Sequence, residues 1–277
     1  MRRFASVLSA LALLVALVTG ALSAAGCGDG QERIRLATTT STQDSGLLDT
    51  LIPVFEKRSG VRVDVIAVGT GAAFRMARDG DADLLLVHDR VGEELFVAEG
   101  HGTERRDLMW NSFEILGPPD DPALAAQADS AGEALRRIGA VGATFVSRGD
   151  DSGTHRRERA LWTDAGGRPD WPGYRESGQG MGATLRIADE MGAYVLTDRG
   201  TRLRYGQELA LVALVGDTPA LRNPYGVVLI DAERHPEIHG VAATQLADWL
   251  VGDEAASIIA AYRIRGQQLF HPVRAER

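Results

Sequence analysis

Cysteine is nearly absent from this chain of 277 residues: Cys27 is the only one. A single thiol rules out a disulfide within one molecule and any metal site built from several cysteines. Lysine is equally scarce. Lys57 stands alone, so the positive charge is almost all arginine, which is read as composition rather than function. There is no basic excess either. The formal net charge of −8 argues against nucleic-acid binding, which needs a basic face. It does not argue against a small anion, which a few aimed dipoles can hold against the mean charge. Beyond residue 18 no second apolar run is long enough to cross a membrane, and no repeat of fixed period is present.

The N-terminus reads as an export signal over residues 1–26. Arg2-Arg3 is followed by an apolar run from Val7 to Val18 and by Leu22-Ser-Ala-Ala-Gly-Cys27, a secretory signal in form. The small residues before Cys27 resemble a bacterial lipobox, with Ala24 where such boxes carry Leu. Cys27 is therefore expected to be lipidated and to anchor an exported protein, periplasmic or at the cell surface. Cleavage near Gly26 without a lipid, and retention as an uncleaved anchor, are the alternatives. With no disulfide available, the exported domain must be held by its core.

The remainder alternates strand, loop and helix, the mark of an α/β fold. Strands are expected at 33–37, 61–68, 83–87, 113–116, 144–146, 194–196, 209–215 and 227–230. Helices are expected at 45–58, kinked or shortened by Pro53, and at 72–78, 130–138, 156–164, 181–191, 241–250 and 254–262. Glu114 to Pro119 and Arg222 to Gly226 read as joints between two lobes. One lobe takes 27–115 plus 223–277 and the other 116–222, with a ligand cleft between them.

Four loops share one design. Thr38-Thr-Thr-Ser-Thr42, Gly69-Thr-Gly71, Arg148 through Thr154 and Thr197-Asp-Arg-Gly200 each leave a strand and enter a helix. Each carries hydroxyls, Gly or Arg. Together they would offer neutral donors, helix N-termini and one or two guanidiniums, which suits a fully ionised oxyanion. The plainer reading is turn chemistry, since such loops are usually polar and often hold Gly. A Ser hydrolase is disfavoured. Ser152 lies in Asp-Ser-Gly-Thr rather than on a Gly-x-Ser-x-Gly elbow, and His155 projects poorly toward it. A cation site from Asp150, Asp151 and His155 is disfavoured by the surrounding hydroxyls and Arg148.

Thr38-Thr-Thr-Ser41, Ser147-Arg-Gly-Asp-Asp-Ser-Gly-Thr-His155 and Thr197-Asp-Arg-Gly-Thr201 resemble the signatures of the tungstate-binding proteins of bacterial ABC importers. Leu86-Val-His-Asp89 and Asn223-Pro-Tyr-Gly226 are similar too. The likeness runs from Arg33 to about Pro272. It implies a two-lobed periplasmic-binding-protein fold that captures tungstate and delivers it to a membrane permease and its ATPase. Molybdate or another tetrahedral oxyanion is the alternative ligand, and anion sensing the alternative role. The positions carried over as ligand contacts are Thr39, Thr40, Ser41, Thr70, Arg148, Ser152, Gly153, Thr154, Thr197 and Arg199. Tungsten enters only as its oxyanion. No catalytic residue, metal site or cofactor is expected, and the protein is expected to be a monomer.

The same resemblance bears on selectivity. Phosphate-binding relatives place an Asp after the strand that matches Asp83 to Val87, where it takes the proton of the phosphate. Here His88 falls at that place and Asp89 follows. Asp150 and Asp151 are expected to hold Arg148 or cap the helix rather than face the ligand. Trp162 and Trp171 are expected in the core or a hinge.

Overall fold

The computed structural model describes residues 31–273 except Gln207. The export signal and Cys27 lie outside the described residues. From Arg33 the chain builds one ten-stranded sheet with helices on its faces. In its first part β1 (Arg33–Thr39) pairs in parallel with β2 (Arg62–Val68) and with β3 (Leu84–Val87). The long β4 (Gly102–Gly117) and β9 (Arg222–Ile230) complete that part, with β9 antiparallel to both β3 and β4.

β4 serves two partners in succession. Up to Ser112 it pairs with β9, whose first residue, Arg222, lies opposite Ser112. From Phe113 to Leu116 it pairs instead with β7 (Tyr194–Asp198). Outward from β7 follow, in parallel, β5 (Phe145–Ser147) and β6 (Tyr174–Glu176). The short strands β8 (Val212–Val215) and β12 (His271–Pro272) also pair with β4, and β10 (Arg263–Ile264) and β11 (Gln267–Gln268) form a separate ribbon.

The buried side chains divide in the same way. One pair of clusters covers both faces of the first part: Leu84 and Leu86 point to one, Leu85 and Val87 to the other. A strand apolar on both faces is what a sheet sandwiched between helices requires. A second pair of clusters does the same for the second part, with Phe145, Tyr194 and Leu196 on one face and Val146 and Val195 on the other. Truncating a fully buried side chain such as Leu85 to Ala should cost about 2–5 kcal/mol.

The helices follow the strands. They are α1 (Thr40–Asp44), α2 (Leu47–Ser59), α3 (Thr70–Arg78), α4 (Arg90–Ala98), α5 (Ala131–Ala140), α6 (Gly153–Asp164), α7 (Met181–Glu190), α8 (Arg199–Tyr205), α9 (Gly240–Leu250) and α10 (Asp253–Ala261). α2 is not shortened at Pro53, which lies inside it. Its apolar face, with Leu48, Leu51, Ile52 and Phe55 buried, outweighs the hydrogen bond that proline removes. α4 was not anticipated. Neither was most of β4, where only 113–116 was expected. Trp162 is buried in the second core and Trp171 packs against it, as expected.

One buried carboxylate ties the first part together. Asp83 is fully buried and accepts from Arg35 Nε at 3.1 Å, Arg35 Nη2 at 3.0 Å, the Arg35 backbone N–H at 2.6 Å and the His239 N–H at 2.9 Å. Burial alone would raise its pKa. The hydrogen bonds and charge of Arg35, with the His239 N–H, outweigh this and hold it below the ordinary carboxylate value.

Candidate functional site

The first loop leaves β1 at Thr39, which caps α1 by accepting from the Thr42 N–H at 3.2 Å. Thr39 Oγ1 also lies 2.7 Å from Thr42 Oγ1 and 3.1 Å from Ser41 Oγ. The second loop leaves β2 through Gly69, the N-cap of α3. No side chain caps that helix, and nothing crowds the place of a Cβ at Gly69. Thr70 opens the helix and is buried.

The third loop leaves β5. Gly149 and Asp151 both take positive φ, 62° and 55°, and a Cβ on Gly149 would meet Glu176 Cβ at 2.7 Å. Asp is among the few side chains that accept this conformation. The turn brings Arg148 Nη2 within 2.5 Å of Asp150 Oδ2, while Arg148 Nε donates to the Gln179 carbonyl at 3.3 Å. Asp150 Oδ1 accepts from the Ser152 N–H at 3.2 Å. Burial acts to raise the Asp150 pKa, but Ser152 and Arg148 prevail and hold it low. Asp150 thus orients Arg148, as expected for it. Asp151 pairs with Arg156 at 3.0 Å, which holds its carboxyl below the usual range. Arg156 also reaches Asp89, the N-cap of α4, at 2.5 Å.

These loops converge. Thr39, Thr40, Ser41 and Thr70 line one wall of a cavity of about 310 Å³, and Arg148, Ser152, Gly153 and Thr154 line another. His88, Arg75, Arg156 and the paired carboxylates Asp150 and Asp151 also line it. A neighbouring cavity of about 490 Å³ shares Thr40, Ser41 and Arg148 and extends to Gly180–Ala183 at the start of α7. The first is the candidate site. Its walls are the ends of β1, β2 and β5 with their helix N-termini, and the shared Arg148 also faces it.

Two expected contacts are not brought there. Thr197 is fully buried, and its hydroxyl donates to the Asp198 carbonyl at 3.3 Å. Arg199 turns away to Glu114 Oε1 at 3.1 Å and to Gln267 at 3.3 Å, beside a different cavity. Arg202 binds the same carboxylate, so Glu114, itself buried, holds both guanidiniums. The fourth loop reaches the cleft through Gly200 and Thr201 instead. Asp198 caps α8 by accepting from the Thr201 N–H at 2.8 Å and its hydroxyl at 2.6 Å. Arg75, Arg156 and the turn before α7 were missed in the sequence. The glycines of Gly180-Met-Gly182, leading a helix, were the available signal.

His88 lies at the end of β3. Its Nδ1 is 3.1 Å from Asn223 Oδ1 and its Nε2 3.2 Å from Ser41 Oγ. Burial pushes the imidazole pKa down, against the opposing pull of Asp198, Asn223 and Asp89. Ser152, His155 and Asp151 are not arranged as a hydrolytic triad. Ser152 Oγ accepts from the His155 N–H at 3.4 Å, and His155 Nδ1 accepts from the Asp151 N–H at 3.0 Å. Among the described residues no cluster of His, Cys, Asp and Glu could hold a metal ion.

A sheet with helices on both faces, two cores and loop ends gathered at one cleft define a substrate-binding protein of the periplasmic type, and residues 24–254 match the PBP superfamily domain. The tungstate-binding protein TupA of Peptoclostridium acidaminophilum is 42% identical, over 98% of this chain and 99% of that one. The solved tungstate-binding protein TupA of Desulfovibrio alaskensis G20 superposes with a TM-score of 0.82 at 38% identity, covering 88% of this chain and all of that one. The crystal structure of the tungstate ABC transporter from Geobacter sulfurreducens gives a TM-score of 0.77 at 48% identity, over 83% and 99% of the two chains. The chain belongs to this family of tungstate-binding proteins, with its two-lobed α/β fold.

Proposed function

We propose that this protein captures tungstate outside the cytoplasm and delivers it to an ABC permease and its ATPase. One observation carries the reading: the cavity presents donors, and the carboxylates near it are already claimed. Asp150 is held by Arg148, and Asp89 and Asp151 by Arg156. Hydroxyls, N-terminal amides and an oriented guanidinium remain, which is the donor set for an unprotonated tetrahedral dianion. The contacts are Thr39, Thr40, Ser41, Thr70, Arg148, Ser152, Gly153 and Thr154.

The lobes are 27–115 with 223–277, and 116–222. They close on the anion, and the closed face is what the permease reads. The chain acts as a monomer without catalysis, exported and held at the membrane by a lipid on Cys27. The names of the relatives support tungstate over other oxyanions. Among the described residues no helix is long and apolar enough to cross a membrane.

Isothermal titration of the purified protein with tungstate, molybdate, sulfate and phosphate tests the reading. One-to-one binding of tungstate with phosphate and sulfate silent is expected. Silence from all four overturns it.

A further inference from the structure

We propose that His88 is a positioning residue that couples anion capture to the uptake of one proton by setting the direction of the Ser41 hydroxyl. This rests on the reading that the cavity takes a dianion.

The geometry fixes which ring nitrogen does what. Asn223 Nδ2 donates to Asn111 Oδ1 at 2.8 Å, so Asn223 Oδ1 is the atom turned to His88. An amide oxygen only accepts, so Nδ1 carries a proton in every state of the ring. In the neutral ring Nε2 can then only accept, and Ser41 Oγ at 3.2 Å is its donor. The Ser41 hydroxyl proton is spent on His88, and Ser41 turns lone pairs toward the cavity that it lines. Taking a proton from solvent reverses this. Nε2–H donates to Ser41 Oγ, and the hydroxyl proton is freed to point at an anion oxygen.

The surroundings favour the neutral ring until the anion arrives. The Tyr225 ring packs at 4.9 Å. Gly153, at the N-terminus of α6, lies so close that a Cβ would meet His88 Cε1 at 2.9 Å, and a helix N-terminus disfavours a cation. Burial and the Arg148 charge also oppose protonation, while Asp198, Asp89 and the Asn223 hydrogen bond favour it. Arg75 and Arg156 face the same cavity, with Asp150 and Asp151. Around the imidazole Arg75, Arg148 and Arg156 stand against Asp89, Asp150, Asp151 and Asp198. A dianion tips that balance strongly negative and draws a proton onto the one lining group able to take it as a cation near neutral pH.

Calorimetric titration of the full protein with tungstate, in two buffers of different ionisation enthalpy, counts the protons. Close to one proton taken up per anion is expected at about pH 7.5, with affinity falling by up to about tenfold per pH unit above neutrality. The folded His88→Gln variant should bind with no proton uptake and a flat pH profile, a change that a merely structural role would not produce. If that variant does not fold, the proton count on the unaltered protein still decides. Tight tungstate binding with no proton uptake overturns this inference and leaves the proposed function standing. Absence of tungstate binding overturns both.

Discussion

The Arg156 guanidinium lies 2.5 Å from the Asp89 carboxylate. Arg156 belongs to the first turns of α6, a helix whose Leu161 and Trp162 sit in the second core. Asp89 caps α4, whose Phe96 sits in the first. The pair therefore bridges the two cores at the rim of the cavity. An ion pair this partly exposed contributes about 1 kcal/mol. Arg156→Gln should weaken tungstate binding by about fivefold, measured by titration calorimetry. Unchanged affinity would contradict a role for this pair in anion binding.

Arg148 should matter far more than any single hydroxyl. It is oriented by Asp150 and the Gln179 carbonyl and brings formal charge. Arg148→Ala should lose about a hundredfold in affinity or more, and Thr70→Ala about fivefold. Equal losses in titration would sink the assignment of Arg148 as the main charge partner.

Arg199 separates fold from site. Its guanidinium is committed to Glu114, so Arg199→Ala should lower the melting temperature yet leave tungstate affinity within about twofold, since a distant change of this kind adds independently. Glu114→Gln should cost about 3 kcal/mol of stability, because Arg199 and Arg202 both lose their buried partner. A binding loss for Arg199→Ala as large as that for Arg148→Ala would return Arg199 to the anion.

Acid stability should depend on Asp83. Its folded pKa lies below the ordinary carboxylate value, so the folded state binds its proton less readily than the unfolded chain does. The resulting stability is present above about pH 4 and is lost as pH falls through the folded pKa. Asp83→Asn should cost about 2 kcal/mol near neutral pH and flatten the loss at low pH. Urea unfolding at both ends of the range checks this, and an acid limb identical to that of the unaltered protein would contradict it.

What the sequence made legible was local. A short apolar run, a loop of hydroxyls and glycines and then a helical pattern can be read within a dozen residues, and three such loops do meet at the cavity. What it hid depended on partners far along the chain. Arg199 looked like Arg148, each beside an acid at a strand end. Only the fold shows that Glu114, 85 residues away, claims one while Asp150, two residues away, positions the other.

β4 was hidden for a related reason. Glu104, Arg105, Arg106 and Asp107 break any apolar alternation, and those residues are strand because β9 pairs with them. α4 did leave a local sign that was overlooked. Asp89 accepts from the Gly92 N–H, and Glu93 accepts from the Asp89 N–H at 2.9 Å, a reciprocal cap written as Asp-x-x-x-Glu.

The most direct test of the account is anomalous diffraction at a tungsten absorption edge from crystals grown with tungstate. One peak is expected, with the hydroxyls of Thr40 or Ser41, Thr70 and Thr154 and the Arg148 guanidinium within hydrogen-bonding reach of the anion oxygens. A peak beside Arg199 and Gln267, or none in the cleft, would contradict it.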